Sequence, residues 1–441
     1  MTKRKSRVPT TRLGRLTRLG LTAGELALGG TAERVRRLTG IRAEEAFSVF
    51  LTATNARKLA RRLSGMRGAA MKMGQLLSME GANLIPREFA EALSVLRDSA
   101  DTMPRTQVRR IMGREYGKGW EQRFEHFDYE PLAAASIGQV HHARTIDGRE
   151  LALKIQYPGV AKSIGSDVDN LAMFLRWARI LPIEMDLSGL IAETKRQLKQ
   201  EADYTQEAEY LRDYRELVLE DPHFLVPRVH DDLTTKRILA MDYVSGEPIE
   251  ALGEKDVAQK LRDRVGAMLE RLLFRELFEF RTMQTDPNFA NYLYQPEKDR
   301  IVLLDFGSTV TFTKAFTERY RRISLALIEE DAGATRHYAE KIGYLDPDDR
   351  TGHAERLMSL LHLVCEPIRC DGVYDFGASD LMSRSREAGL QMLLRSGGDF
   401  RTPPPETAFL HRKLVGSFLI CARIKARVNV QALIRPYLEN A

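Results

Sequence analysis

The apolar pattern changes twice along the chain, and each change predicts a different architecture. From 24 to 126 apolar residues recur at helical spacing with few β-branched runs, most clearly over Ala46–Leu63, Ala69–Leu77 and Pro86–Leu96. Asp101-Thr-Met-Pro104 breaks that pattern and reads as a connection. At Phe127 the composition turns strand-like as far as Tyr157, and Asp147-Gly148 predicts a hairpin turn between Val140–Ala143 and Leu151–Gln156. Helical spacing returns from Val168 to about Leu219, with Leu187-Ser188 as the start of its longest segment. Arg237–Tyr243 reads as a buried strand. Residues 257–280 read as one long amphipathic helix with Val265, Met268, Leu272, Leu273 and Leu277 on its apolar side. Beyond a short strand at Ile301–Leu304 the chain is largely helical, apart from a turn at Pro403-Pro404-Pro405. The predicted class is α+β, and the expected parts are a basic tail (1–24), a helical extension (25–126), a small mixed lobe with an insertion (127–244) and a mainly helical lobe (245–441).

A length of 441 residues is too great for one core and suits two or three packed units. With only Cys365, Cys370 and Cys421, a disulfide framework is excluded and a reducing compartment is expected. The net charge of +6 is unevenly placed, since Lys3, Arg4, Lys5, Arg7, Arg12, Arg15 and Arg18 crowd the first 24 residues without one acid. Such a run suits an anionic membrane surface or an organelle transit peptide, and equally a solvated tail. Nucleic acid is not an expected partner, because aromatics do not interleave with the basic residues and no reader motif is present. No apolar stretch approaches the length of a membrane span.

The chemistry concentrates in Thr285-Asp-Pro-Asn-Phe-Ala-Asn291 and Asp305-Phe306-Gly307. Phosphoryl transfer needs a carboxylate near the attacking oxygen and oxygen ligands for Mg²⁺ on the nucleotide phosphates. An Asp, an Asn five positions on and a later DFG tripeptide supply those parts in kinase-like enzymes. The second copy, Asp375-Phe376-Gly377, lacks the upstream residues and reads as a loop. Upstream, Ala133, Ala134, Ala135, Ser136, Ile137, Gly138, Gln139 and Val140 have the spacing of a Gly-rich nucleotide loop with alanine at its first two glycine positions. Alanine keeps the volume small but gives up positive φ, so a stiffer loop is expected. Leu151-Ala-Leu-Lys154 resembles the strand whose lysine pairs nucleotide phosphates, and Glu207 is its candidate carboxylate partner. Glu201, Asp203 and Glu207 cannot share one face of a straight helix, which implies a bend or separate tasks.

These residues, together with Lys72-Met-Gly-Gln75, carry a resemblance to the UbiB (AarF-domain) atypical kinase-like family, in its mitochondrial and α-proteobacterial ubiquinone-biosynthesis branch. The resemblance runs from about Val8 to Ala426 and rests on the K-x-G-Q motif, the alanine-rich loop, Glu201-x-Asp203 and Gln284-Thr-Asp-Pro-Asn288 through Asn291. Tyr374-Asp-Phe-Gly377 and His411-Arg-Lys413 resemble its C-terminal pattern. It implies a protein-kinase-like bilobal fold with an N-terminal helical extension. Lys154 would contact ATP phosphates and pair with Glu207, and Asn291 and Asp305 would hold Mg²⁺. Asp286 would be the catalytic-loop Asp, and Met241, Asp242, Tyr243 and Val244 the hinge beside adenine. Lys72 and Gln75 would lie near the phosphates on a helix covering the site where a peptide would dock, with Lys72 contacting Glu201 and Asp203.

The implied activity is ATP hydrolysis with little protein phosphorylation, supporting enzymes that modify polyprenyl-quinone lipids. A cytoplasmic, peripheral position at the inner membrane face is expected, or the matrix side of the mitochondrial inner membrane. Neither His-Arg before Asp286 nor Ala-Pro-Glu after Gly307 is present, so no ordinary peptide platform is encoded. A small-molecule or lipid phosphotransferase with Asp286 as base, or a nucleotide-gated scaffold, are the competing readings. Lys72 and Gln75 argue against the first, and the retained Lys154, Asp286, Asn291 and Asp305 against the second.

Overall fold

The computed structural model describes residues 66, 68–70, 72–74, 102–177, 188–345, 353–395 and 405–439. The chain divides into two compact units, one of 1–208 with 229–243 and the other of 209–228 with 244–441.

The first unit is built on an antiparallel sheet. Its strands run Phe124–Phe127, Gly138–Thr145, Glu150–Gln156 and Ile238–Asp242, with Ala133–Ala134 on the same edge as the first. The predicted hairpin forms, and Gly148 takes φ 85°, the left-handed conformation a tight turn asks of glycine. Every residue of Glu150–Gln156 after the first is buried, as a central strand covered on both faces requires. Leu151, Leu153 and Ile155 face a core with Met103, with Val108 and Met112 of helix Arg105–Glu115, and with Trp120 and Phe124. Strict alternation therefore turns Ala152, Lys154 and Gln156 to the opposite face. Gln156 Nε2 there donates to the Ala202 carbonyl at 2.8 Å, where the helices Ser188–Glu201 and Tyr204–Leu217 meet. Helix Val160–Trp177 occupies part of the predicted insertion.

In the second unit a four-stranded sheet orders Phe224–Leu225, Arg300–Leu303, Tyr292–Gln295 and Glu247–Pro248. Its central hairpin turns at Asp299, whose φ of 47° is stabilised by the Tyr294 hydroxyl donating to its carboxylate at 2.7 Å. The remainder is mainly helical: Gln259–Phe274, Lys314–Ile328, Ala332–Ile342, His353–Val364, Leu381–Arg395, Pro405–Arg423 and Val430–Glu439. Thr313 and Asp331 cap two of these by accepting from the Phe316 and Ala334 amides, at 3.2 and 2.9 Å.

The single helix expected over 257–280 is instead an α-helix to Phe274 followed by a π-type turn, Arg275–Phe280. The wider turn accompanies a fully buried Glu276. Of the helix segments named in the N-terminal extension, only 69–70 and 72–74 of Ala69–Leu77 fall within the described residues, and these are helical. The segments over 46–63 and 86–96 lie outside them.

Candidate active site

In the first unit, register sets Lys154 opposite Val140 on one neighbouring strand and Leu239 on the other. Its Nζ donates to Glu207 Oε1 at 2.7 Å and lies 5.4 Å from the centre of the Tyr204 ring. Lys154 is 6% exposed and Glu207 2%, so this is a buried ion pair. Removing either partner would leave the other charge uncompensated, which is the costly case. Glu207 reaches this place because a new helix begins at Tyr204.

The alanine-rich segment is a tight hairpin. Ala133 and Ala134 pair with Val140 and Gln139, and the Ala135 amide donates to the Gly138 carbonyl at 2.9 Å. Only part of it can face a ligand. Ile137 and Gln139 are each 1% exposed, and Gln139 Oε1 accepts from the Met103 amide at 2.9 Å. Gly138 has no positive φ; a Cβ there would stand 2.4 Å from the Ile155 carbonyl oxygen, so close backbone approach explains its glycine. Ala133 and Ala134 are exposed, Ala135, Ser136 and Val140 half-buried.

Lys72, 2% exposed, pairs with Glu201 Oε1, and Ser136 Oγ donates to Glu201 Oε2 at 2.9 Å. One carboxylate thus ties the K-x-G-Q lysine to the alanine-rich hairpin. Gly68 continues that contact, since a Cβ on it would meet Ile137 Cγ2 at 2.9 Å.

The expected contact between Lys72 and Asp203 is replaced by another arrangement. Asp203 lies in the break between the two helices, accepts from the Thr205 amide at 3.2 Å as an N-cap, and pairs with Lys236 at 3.0 Å. Burial works against its charge, but the Thr205 and Lys236 hydrogen bonds and the Lys236 charge hold the Asp203 carboxyl below the usual range. Gln75 lies outside the described residues. Met241 is buried in the sheet; Asp242 Oδ1 lies 2.7 Å from His230 Nε2, and the Tyr243 ring stands 4.8 Å from that of His142. Val244 belongs to the second unit.

In the second unit, Thr285 ties the Asp286–Asn291 segment to the residue after Asp305-Phe-Gly307. Its amide and hydroxyl each reach the Ser308 carbonyl at 2.8 Å. Asn288 caps the short turn Phe289–Asn291, and the Leu304 amide donates to the Asn291 carbonyl at 3.0 Å. Asn291 and Asp305 consequently line one small pocket with Tyr214, Glu276, Gln284, Tyr292, Phe306 and Lys413. Phe306, fully buried, packs its ring 4.6 Å from that of Tyr214 and anchors the tripeptide. Asp305 Oδ1 accepts from the Gly307 amide at 2.9 Å.

The donor chemistry of this pair fits Mg²⁺. Asn291 Nδ2 donates to the Asp286 carbonyl at 3.0 Å, which orients the side-chain amide and leaves its oxygen as the group suited to a hard cation beside the Asp305 carboxylate. Among the described residues no cluster of three or more His, Cys, Asp or Glu could hold a metal alone. Two oxygen ligands suit Mg²⁺ completed by phosphate and water.

Residues to which motif reading gave no role complete this half. Arg412 Nη2 donates to Asp286 Oδ1 at 2.5 Å. Lys413 Nζ lies 2.9 Å from Glu276 Oε2, and Tyr214 and the Gln284 amide donate to Glu276 Oε1 at 2.8 and 2.9 Å. Burial opposes the Lys413 charge, yet Glu276 and Tyr292 hold its ammonium above the ordinary lysine range. Glu276 carried a readable signal: an acid three and four places after Leu273 and Leu272, on the apolar side of its helix. For Arg412 the only signal was its place in His411-Arg-Lys413.

A paired lysine on the central strand of one unit, with an Asp/Asn loop and an Asp-Phe-Gly turn in the other, defines a kinase-like protein. The fold agrees: Rv3197 of Mycobacterium tuberculosis, solved with erythromycin, matches with a TM-score of 0.60 at 24% identity, over 89% of this chain and 97% of that one. Residues 95–339 match the model of the ABC1 atypical kinase-like domain. The atypical kinase COQ8B, mitochondrial, of Rattus norvegicus is 37% identical over 98% of this chain and 81% of its own length. The atypical kinase COQ8, mitochondrial, of Saccharomyces cerevisiae is 35% identical over 98% and 86%. The chain belongs to the ABC1 (UbiB/AarF) atypical kinase-like family, and it is an atypical kinase of ubiquinone biosynthesis.

Proposed function

We propose that the chain binds Mg²⁺·ATP and hydrolyses it in support of enzymes that modify polyprenyl-quinone lipids, while the extension carrying Lys72 and Gln75 suppresses protein phosphorylation. In this reading Lys154, oriented by Glu207, takes nucleotide phosphates that Ala133–Val140 cover, and Met241–Val244 borders the base. Asn291 and Asp305 hold Mg²⁺, which when bound neutralises charge on the phosphate oxygens. Asp286 orients the attacking oxygen. Residues 25–126 act as the covering extension, and the lobes span 127–244 and 245–441.

The observation that carries the suppression is the Lys72–Glu201–Ser136 link, which fastens the K-x-G-Q segment to the nucleotide hairpin. No helix among the described residues is long and apolar enough to cross a membrane. The basic residues 1–24 are therefore our candidate for contact with an anionic surface, on the cytoplasmic face or the mitochondrial matrix side.

The test is phosphate release by the purified chain, with liposomes of neutral or anionic lipid and a phenolic head-group mimic. We expect Mg²⁺-dependent release that anionic lipid and the mimic raise and Asp305→Asn abolishes. Undiminished turnover in Asp305→Asn would remove the metal assignment. Label appearing on the mimic instead of in free phosphate would establish a small-molecule phosphotransferase. Nucleotide binding without any turnover would establish a scaffold.

A further inference from the structure

Helix Pro405–Arg423 lies wholly beyond the region matched by the family model, which ends at 339. Four of its residues nevertheless converge on the centre of the second unit, at helical positions i, i+1, i+4 and i+5, one face of the helix. Arg412 holds the Asp286 carboxylate at 2.5 Å. Lys413 donates to Gln284 Oε1 at 3.3 Å, and Gln284 Nε2 donates to the Asp286 carbonyl at 2.7 Å, the same oxygen that receives Asn291 Nδ2. A Cβ on Gly416 would fall 2.0 Å from Pro287 Cγ and 2.2 Å from its Cβ. Ser417 Oγ donates to the buried Glu270 at 2.7 Å, fixing the helix to the one beneath.

Side chain, backbone and ring of Asp286-Pro287 are thus each gripped from the same helix face. In ordinary kinase loops an arginine immediately precedes this Asp; here Thr285 stands in its place. The guanidinium beside Asp286 comes from 126 positions further on.

We propose that this helix clamps the reactive loop, with Arg412 and Lys413 as positioning residues for Asp286 and Asn291 and with Gly416 as the glycine that lets the helix close on Pro287. Arg412 engages one carboxylate oxygen and so restricts the rotation of the group. The inference rests on the reading of Asp286 as the group that orients the attacking oxygen.

The test compares wild type with Arg412→Gln, Arg412→Lys, Gly416→Ala, Asp286→Asn and the Asp286→Asn/Arg412→Gln double variant. Four quantities are read: kcat and KM for Mg²⁺·ATP, affinity for Mg²⁺·ADP, the unfolding midpoint, and amide hydrogen exchange over 285–291. Arg412→Gln is expected to lower kcat by about 10- to 100-fold, as loss of an orienting partner does, with KM and ADP affinity changed less than about twofold. Arg412→Lys should recover part of that loss, and the double variant should be no slower than Asp286→Asn alone. Exchange over 285–291 should quicken in Arg412→Gln and Gly416→Ala while strand amides at 292–295 stay protected.

Arg412→Gln with wild-type kcat, or losses that multiply in the double variant, would overturn the clamp. So would losses that follow the unfolding midpoint across the series. A wild-type chain that binds nucleotide without turnover would refute the ATPase reading alone; unchanged exchange at 285–291 in Arg412→Gln and Gly416→Ala would then overturn the clamp independently.

Discussion

Replacing Glu201 by Gln tests the fastening of the K-x-G-Q segment, and its size can be worked out. Lys72 is 2% exposed, and Glu201 is its ion-pair partner. Stripping one partner from a buried pair costs about 3–5 kcal/mol, because the remaining charge stays desolvated. Glu193 moderates this. Burial works against the Glu193 charge, but hydrogen bonds from Arg196 and Gln197 and the charges of Arg196 and Lys72 hold its carboxyl below the usual range. Being already committed to Arg196 and Gln197, it can compensate Lys72 only in part, which puts the loss near the lower figure. A loss of about 3 kcal/mol moves a local opening equilibrium by roughly two powers of ten. The converse change, Lys72→Met, should cost less, since Glu201 is 13% exposed and keeps Ser136. Amide hydrogen exchange over 66–74 and 135–141 reads both. Glu201→Gln should speed exchange about 100-fold in the two segments together, and Lys72→Met by less. Unchanged protection in Glu201→Gln, or a larger effect from Lys72→Met, would refute the claim that this carboxylate is the fastening.

Three further outcomes follow from the same geometry. Gly138→Ala should lower the urea midpoint by an amount worth about 1–3 kcal/mol, because its Cβ would press on the Ile155 carbonyl and backbone cannot move aside cheaply; a stability equal to wild type would show that the hairpin opens freely. Ala135→Gly should change ADP and ATP affinity by loosening the turn closed onto Gly138, with the midpoint little altered; isothermal titration giving identical affinities for both nucleotides would remove the loop assignment. Burial pushes the Glu270 carboxyl up to about 7, against the Ser417 and Cys421 hydrogen bonds and the Lys413 charge. The folded state therefore keeps a proton that the unfolded chain sheds from about pH 4.5, so stability falls as pH rises from there to about 7 and levels off above. Glu270→Gln should flatten that slope in unfolding midpoints taken from pH 5 to 8, and an unchanged slope would exclude Glu270 as its source.

Much of the fold was legible because its signals are local. The hairpin turn at Asp147-Gly148, the strand at 238–242 and the helix start at Ser188 each depend on neighbours a few residues away. Spacing also required Glu201, Asp203 and Glu207 to part company, and the helix break between Glu201 and Tyr204 is how they do. The partners expected for two of them, Lys154 for Glu207 and Lys72 for Glu201, are the ones they take, whereas the partner of Asp203 was not legible. Asp203 serves the helix end that the break creates, and its cap and Lys236 contacts depend on where that break falls. Gly138 shows a different limit: the same letter serves a phosphate loop or a tight strand contact, and only packing separates them.

The two Asp-Phe-Gly copies make the point about chemistry sharply. Asp305 accepts from the Gly307 amide at 2.9 Å, and Asp375 accepts from the Gly377 amide at 3.0 Å, so the tripeptide folds into the same local turn twice. What differs is the surroundings. Asp375 faces Arg427 on a short two-stranded pair, 40% exposed, whereas Asp305 lines a pocket with Asn291 and a buried lysine. A turn motif therefore encodes shape, and reactivity comes from groups brought to it by the rest of the chain. Arg412 is the extreme case: it reaches Asp286 from 126 positions away, with nothing periodic between them to announce it. In the proposed clamp, the Asp286–Asn291 loop of this chain owes its geometry to a helix beyond the residues 95–339 that match the family's kinase-like domain. A chain cut after residue 339 would then keep Lys154, Asn291 and Asp305 and lose the guanidinium and the glycine that hold Asp286 in place.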